Sequence, residues 1–138
     1  MFRKLVAVVS LFAIVLLFNL SFSQNLFSAS TTPAQNIEGT YKVQGTNPNG
    51  GSTYEGTAVI KKQGERYLIH WSAGAEYDGT GTLNGNTLAI EWGTAQNPRS
   101  GTITYTVNEK GVLSGTWSKY EDPKGIGKET LTPYHLSK

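Results

Sequence analysis

The chain has 138 residues, enough for a single domain, and it contains no cysteine, which excludes disulfide bonds, thiolate catalysis and a lipid-anchored cysteine. Its 12 Lys and Arg residues exceed its 10 Asp and Glu residues by two, and Arg3 and Lys4 account for that difference. The chain beyond residue 23 is therefore neutral, which argues against a nucleic-acid partner, because such proteins usually carry a basic face.

Residues 1–23 have the pattern of an export signal peptide. Two basic residues precede an apolar run over residues 5–18, and small residues flank a cleavage position after Ser23. A second such position follows Ser30. Because the apolar run is shorter than the roughly 20 residues that cross a bilayer, cleavage is expected rather than a retained anchor. The pattern predicts a secreted, periplasmic or other extracytoplasmic protein.

Residues 24–36 are polar and lack periodicity, which predicts a flexible leader. From Ile37 onward, apolar and polar residues alternate in short runs that Gly, Asn and Pro separate, as in β-strands. The folded domain is therefore expected to span residues 37–134, followed by a tail at 135–138. The predicted strands are 38–45, 54–62, 66–73, 77–83, 87–93, 101–107, 112–119 and 128–132.

The turns and the alternation predict how these strands are arranged. Residues 84–86, Asn-Gly-Asn, carry the strongest short hairpin signal, whereas residues 121–127 are expected to form a loop before the last strand. Each strand has one apolar and one polar face, as Tyr67, Ile69 and Trp71 illustrate. We expect an all-β, eight-stranded antiparallel meander that closes as an up-and-down β-barrel, since closure removes exposed edges. A two-sheet β-sandwich is the alternative.

The most distinctive feature is a threefold repeat in which a Gly-Thr pair begins a hairpin and a Trp ends it. Trp71, Trp92 and Trp117 fall at equivalent ends of hairpin strands, so a meander places them at similar height. Together with Tyr67 and Tyr105 they are the candidate ligand-binding residues, in a pocket that stacks a flat apolar ligand or a sugar ring. Alternatively the tryptophans fill one end of the core, because a barrel of eight strands holds either side chains or one small ligand.

No residue is assigned a catalytic or metal-binding role, and no cofactor is expected. His70 and His135 stand alone, without a second ligand at metal-binding spacing, and His70 is expected to face outward. Glu91 alternates with apolar neighbours, which predicts a solvent-facing carboxylate rather than half of a catalytic pair. The alternative hypothesis is a hydrolase or isomerase with a site in the barrel mouth, which would use His70 or Glu91.

Four stretches of the chain carry a resemblance to a known family. They are GTYKVQGTNPNG at 39–50, YEG at 54–56, GVLSGTW at 111–117 and GKETLTP at 127–133. Together they resemble a family of small exported bacterial β-proteins that are often labelled fibronectin-binding. The resemblance implies a matrix or envelope protein as partner. The strands with Gly-Thr and Trp are also similar to those of avidin and lipocalin barrels, the calycin-like folds, which implies a ligand in the barrel mouth.

These observations predict an exported, non-enzymatic binding module. Its expected ligand is an extracellular or envelope macromolecule, or a small apolar molecule in the barrel mouth. A structural envelope protein is a further alternative. A membrane is expected to be involved only through the signal segment, and the oligomeric state is left open.

Overall fold

The structure is a computed structural model that describes residues 35–134. The predicted signal peptide, most of the predicted leader and the tail lie outside the described residues. Within them no helix is long and apolar enough to cross a membrane. The strands are β1 (Gly39–Thr46), β2 (Thr53–Gln63), β3 (Arg66–Ser72), β4 (Glu76–Asn84), β5 (Thr87–Gly93), β6 (Gly101–Val107), β7 (Leu113–Lys119) and β8 (Asp122–Pro133).

The eight strands form a closed antiparallel barrel in which every strand pairs with its neighbours in sequence. β8 completes the barrel by pairing with β1 over Tyr41–Thr46 and Lys128–Pro133. The predicted up-and-down β-barrel is therefore confirmed, and the two-sheet alternative is wrong. Closure gives every strand two neighbours, so no strand lies at the edge of the sheet, although residues 122–127 of β8 pair with β7 alone.

Seven strands begin and end within one residue of their predicted bounds, but the prediction for the last strand is wrong. β8 begins at Asp122, so residues 122–127 of the expected loop are strand, and only Tyr120 and Glu121 form the turn from β7. The glycines in this segment suggested a loop, yet Gly125 and Gly127 are buried positions of the sheet. Gly127 pairs with Trp117, and its missing side chain makes room for that indole ring.

The barrel interior is the hydrophobic core, and the predicted alternation places the apolar face inside. On β3, Tyr67, Ile69 and Trp71 are buried, whereas Arg66 and His70 are exposed. The other strands repeat this pattern with a period of two, as expected for a sheet packed on one side. The largest fully buried side chains are Tyr105, Ile37, Ile60, Ile69, Leu88, Leu113, Leu131 and Val43.

The two ends of the barrel differ. At one end, which we call the closed end, lie the β2–β3, β4–β5 and β6–β7 turns, and residues 35–38 pack against it. Ile37 is only 1% exposed and its carbonyl accepts a 2.6 Å hydrogen bond from the hydroxyl of Tyr41. The side-chain amide of Gln35, at the end of the predicted leader, donates to the carbonyl of Asn108 at 3.0 Å. The opposite end, which we call the mouth, carries the other four connections.

Candidate functional site

The mouth opens into a cavity of about 880 Å³, which we call the mouth pocket. All four connections at this end contribute to its rim. The rim residues include 47–48, 73–75, Thr94, Asn97, Arg99, Ser100 and 120–121. Inward-facing strand residues form its walls and floor. The aromatic residues that line it are Tyr54, Trp71, Tyr77, Trp92, Trp117 and Tyr120.

Glycines on neighbouring strands fix the positions of the three tryptophans. A Cβ atom at Gly79 would lie 2.8 Å from Cζ3 of Trp71, and one at Gly101 would lie 2.9 Å from Cζ2 of Trp92. A Cβ atom at Gly127 would overlap the indole of Trp117. Aromatic rings that cover glycines across strands pin the register of curved sheets. Gly79 and Gly101 each begin one of the Gly-Thr repeats. The Trp that ends one hairpin therefore packs on the glycine that begins the next hairpin.

The aromatic side chains of the mouth pocket form a continuous chain of edge-to-face contacts. The ring centroids of Trp92 and Trp117 are 5.9 Å apart at 88°, and those of Tyr77 and Trp92 are 5.8 Å apart at 84°. Tyr54 extends the chain, with its centroid 6.5 Å from that of Trp117. These distances and angles are those that aromatic quadrupoles favour. Trp92 and Trp117 are therefore neighbours, as the sequence predicted.

The floor of the mouth pocket contains a buried carboxylate that sequence reasoning missed. Glu129 on β8 is 7% exposed, and it is the only charged side chain buried among residues 35–134. Its Oε1 accepts hydrogen bonds from Nε1 of Trp71 at 3.0 Å and from the hydroxyl of Tyr105 at 2.5 Å. Its Oε2 accepts one from the hydroxyl of Tyr54 at 2.7 Å. Glu129 thereby joins β2, β3 and β6 across the barrel interior.

The environment of Glu129 keeps its tyrosine partners protonated. Burial raises the pKa of Tyr54, and the negative charge of Glu129 and its hydrogen bond raise it further. The pKa of Tyr105 is raised well above its ordinary value, by burial first and by the charge of Glu129 second. Both hydroxyls are therefore donors at every physiological pH. Within residues 35–134, no Lys, Arg or His nitrogen forms an ion pair with Glu129.

Two indole N–H groups near the mouth pocket lack a hydrogen-bond partner among the described residues. They are Nε1 of Trp92 and Nε1 of Trp117, and both atoms are buried. Buried polar atoms in folded proteins are paired in the large majority of cases, so each unpaired one calls for an explanation. Both tryptophans line the mouth pocket.

The structure brings together four of the five predicted binding residues and separates the fifth. Trp71, Trp92 and Trp117 line the mouth pocket, and Tyr105 lies beneath it, bonded to Glu129. Tyr67 does not line the pocket. It precedes Trp71 by four residues on β3, which corresponds to roughly 13 Å along a strand. Tyr67 lies towards the closed end, where the ammonium of Lys62 is 5.9 Å from its ring centroid.

His70 lies on the outer surface of the barrel, as the sequence predicted. Its side chain is 49% exposed and lies between two carboxylates. Nδ1 is 2.7 Å from Oδ1 of Asp78, and Nε2 is 2.6 Å from Oε2 of Glu76. The hydrogen bond with Asp78, followed by that with Glu76, raises the pKa of His70. The imidazole is occupied on both nitrogens and does not reach the mouth pocket.

Glu91 is also directed away from the pocket. It accepts a hydrogen bond from the hydroxyl of Tyr120 and pairs with Arg99, whose Nε is 3.0 Å from Oε1. These two contacts lower the pKa of Glu91. They also tie the β5–β6 loop and the β7–β8 turn together at the rim of the mouth. No group of three or more His, Asp or Glu residues in 35–134 is arranged to hold a metal ion.

Comparison with known proteins informs the fold alone. No family model and no curated protein matches the sequence. Among solved structures, a redesigned β-barrel is similar, with a TM-score of 0.54 and 17% sequence identity. The alignment covers 72% of this chain and 92% of that barrel. The likeness to a β-barrel agrees with the closed eight-stranded sheet.

Proposed function

We propose that this protein is a non-enzymatic binding module that holds a small, flat organic molecule in the mouth pocket. The observation that carries the proposal is the contrast between the two ends of the barrel. The closed end is packed with apolar side chains and covered by Ile37, whereas the mouth contains a cavity of about 880 Å³. That volume lies within the roughly 300–1,000 Å³ typical of small-molecule sites.

The lining of the mouth pocket suits a planar ligand. Trp71, Trp92 and Trp117 offer large apolar rings that are held by packing on glycines rather than by flexible chains. Side chains that are fixed in advance lose little entropy when a ligand binds. Few polar groups accompany these rings on the floor, chiefly the carboxylate of Glu129, and such isolated polar groups orient a ligand within an apolar site.

A macromolecular partner has less support. The exposed large apolar side chains among residues 35–134 are Leu68, Tyr120, Ile126 and Tyr134. They are single residues on different strands and turns, which is normal for a protein surface. The proposed location outside the cytoplasm rests on the signal pattern at residues 1–23.

A panel of small aromatic compounds tests the proposal. Intrinsic tryptophan fluorescence, followed during titration with neutral, cationic and anionic compounds, is expected to show saturable quenching by at least one class. Native mass spectrometry is expected to show one bound molecule per barrel. Trp92→Phe weakens binding, while the matched change Tyr67→Phe at the closed end leaves it unchanged. If no class of compound binds, the proposed function is contradicted. It is also contradicted if Trp92→Phe binds the ligand as tightly as the parent protein and Tyr67→Phe do.

A further inference from the structure

We infer that the ligand of the mouth pocket is a small organic cation, an amine or ammonium compound, whose charged nitrogen lies at Glu129. The inference rests on the proposed function and adds the chemical class of the ligand. Three independent features support it: the unbalanced charge of Glu129, its free acceptor capacity and the aromatic walls around it.

The first feature is charge. Glu129 is 93% buried, and no cationic side chain among residues 35–134 pairs with it. A carboxylate that is removed from water without a counter-charge is costly, and buried charges in proteins are usually paired. Its three hydrogen-bond donors, Tyr54, Tyr105 and Trp71, are all neutral. A cationic ligand supplies the charge that the protein lacks.

The cations at the rim do not supply this charge. The charged residues lining the pocket are Arg99, Lys119, Glu121, Asp122 and Glu129. Arg99 pairs with Glu91 on the outer surface, and the ammonium of Lys119 lies 3.8 Å from a carboxylate oxygen of Glu121. The pocket therefore carries two positive and three negative side chains, and its own cations are already engaged. The resulting field attracts a cation and repels an anion.

The second feature is acceptor capacity. The two oxygens of a carboxylate offer about four lone-pair positions. Oε1 of Glu129 accepts two hydrogen bonds and Oε2 accepts one, so a position on Oε2 is not used by the described residues. An ammonium N–H is a donor suited to this position, and a charge-assisted hydrogen bond is stronger than a neutral one.

The third feature is the aromatic lining. Tyr54 and Trp71 donate to Glu129 through the edges of their rings, and both line the pocket, so a ligand whose nitrogen lies at the carboxylate extends among the aromatic side chains of the pocket. Trp117 lies next to Tyr54, with ring centroids 6.5 Å apart. The faces of Trp and Tyr rings attract a cation within about 6 Å and repel an anion, so a pocket lined by these rings favours an ammonium compound over an anionic one.

Three probes of nearly equal size test the inference: 2-phenylethylammonium, 2-phenylethanol and phenylacetate. Isothermal titration at about pH 7, where the amine is charged and the acid ionised, gives the three affinities. We expect the cation to bind about tenfold or more tightly than the alcohol, and phenylacetate to bind most weakly. The alcohol or phenylacetate binding as tightly as the cation would overturn the inference and leave the proposed function intact. Failure of all three probes to bind contradicts the proposed function itself.

Two variants locate the charge effect. Glu129→Gln keeps the size of the side chain and is expected to reduce the preference for the cation to about threefold or less. Glu121→Gln removes the same charge from an exposed position at the rim, and it is expected to retain the preference. The inference is wrong if Glu129→Gln keeps the full preference. If Glu129→Gln does not fold, the relative affinities of the three probes for the parent protein still test whether the pocket prefers a cation.

Discussion

The indole N–H of Trp71 donates a 3.0 Å hydrogen bond to Oε1 of Glu129, which joins β3 to β8 across the inside of the barrel. These two strands are not neighbours in the sheet, since β1 and β2 lie between them. The bond therefore crosses the lumen rather than following the sheet. It fixes the floor of the mouth pocket and gives Trp71 a role beyond filling space.

The hydrogen bonds to Glu129 are expected to contribute to stability. Tyr105→Phe removes a fully buried donor to a charged group, which costs about 1.5–3 kcal/mol of unfolding free energy. Tyr67→Phe is the matched control, because the hydroxyl of Tyr67 forms no hydrogen bond with another described residue, and its cost is expected to be within about 0.5 kcal/mol. Urea denaturation of both variants provides the comparison. Equal costs would show that the hydrogen bond between Tyr105 and Glu129 adds nothing to the stability of the fold.

The packing of tryptophan on glycine gives a second prediction. Gly127→Ala forces a Cβ atom into the ring of Trp117 and is expected to destabilise the barrel by about 1–3 kcal/mol. If the clash is the cause, the same change costs at least about 1 kcal/mol less when Trp117 is already Ala. The double-mutant cycle is measured by denaturation. The same cost in both backgrounds would assign the effect to the backbone of β8 instead.

The ion pairs of His70 give the fold a dependence on pH. Because the folded-state pKa of His70 is raised above the roughly 6.5 of an unfolded chain, its pairs with Glu76 and Asp78 stabilise the fold fully below that value. The contribution is lost as the pH rises through the raised pKa. The difference in unfolding free energy between the parent protein and His70→Gln is expected to be larger at about pH 6 than at about pH 9. An NMR titration that places the pKa of His70 at or below 6.5 would refute this.

The closed end is expected to support the fold without contributing to binding. Ile37→Ala removes a fully buried side chain and is expected to cost about 2–5 kcal/mol. Because Ile37 lies at the end opposite the mouth pocket, the affinity of folded protein for 2-phenylethylammonium is expected to stay within about twofold of the parent value. Calorimetric titration below the unfolding temperature measures it. A large loss of affinity would mean that the ligand reaches the closed half of the barrel.

Most of the fold was predictable because the turn residues and the alternation of apolar and polar side chains in each segment agree with the place of that segment in the barrel. Asn-Gly and Gly-containing turns separate runs of period two, and Tyr67, Ile69 and Trp71 fall on one face wherever the strand is placed. The first part of β8 was not predictable, since Pro123, Gly125 and Gly127 have loop chemistry. Only the ring of Trp117 on the neighbouring strand explains why Gly127 is a strand residue.

The site was predictable in part. The equivalent positions of Trp92 and Trp117 in the repeats predicted that they lie close together. The same argument says nothing about depth along the barrel, and Tyr67 lies nearer the closed end than the pocket. Glu129 was missed because an acid in a polar segment is usually exposed. The available signal was the spacing. Glu129 precedes Leu131 by two residues, so the two side chains lie on the same face of β8. Its burial depends on donors from three distant strands, which no local pattern reveals.

The most direct test of the central claim follows the three indole N–H signals, one for each Trp in the chain, in ¹H–¹⁵N spectra during titration with 2-phenylethylammonium chloride. With the cation at Glu129, the signal of Trp71 shifts and saturates together with those of Trp92 and Trp117, and the shift of Trp71 is lost in Glu129→Gln. Three unmoved indole signals, or shifts confined to amides on the outer face of the barrel, would contradict a cation site in the mouth pocket.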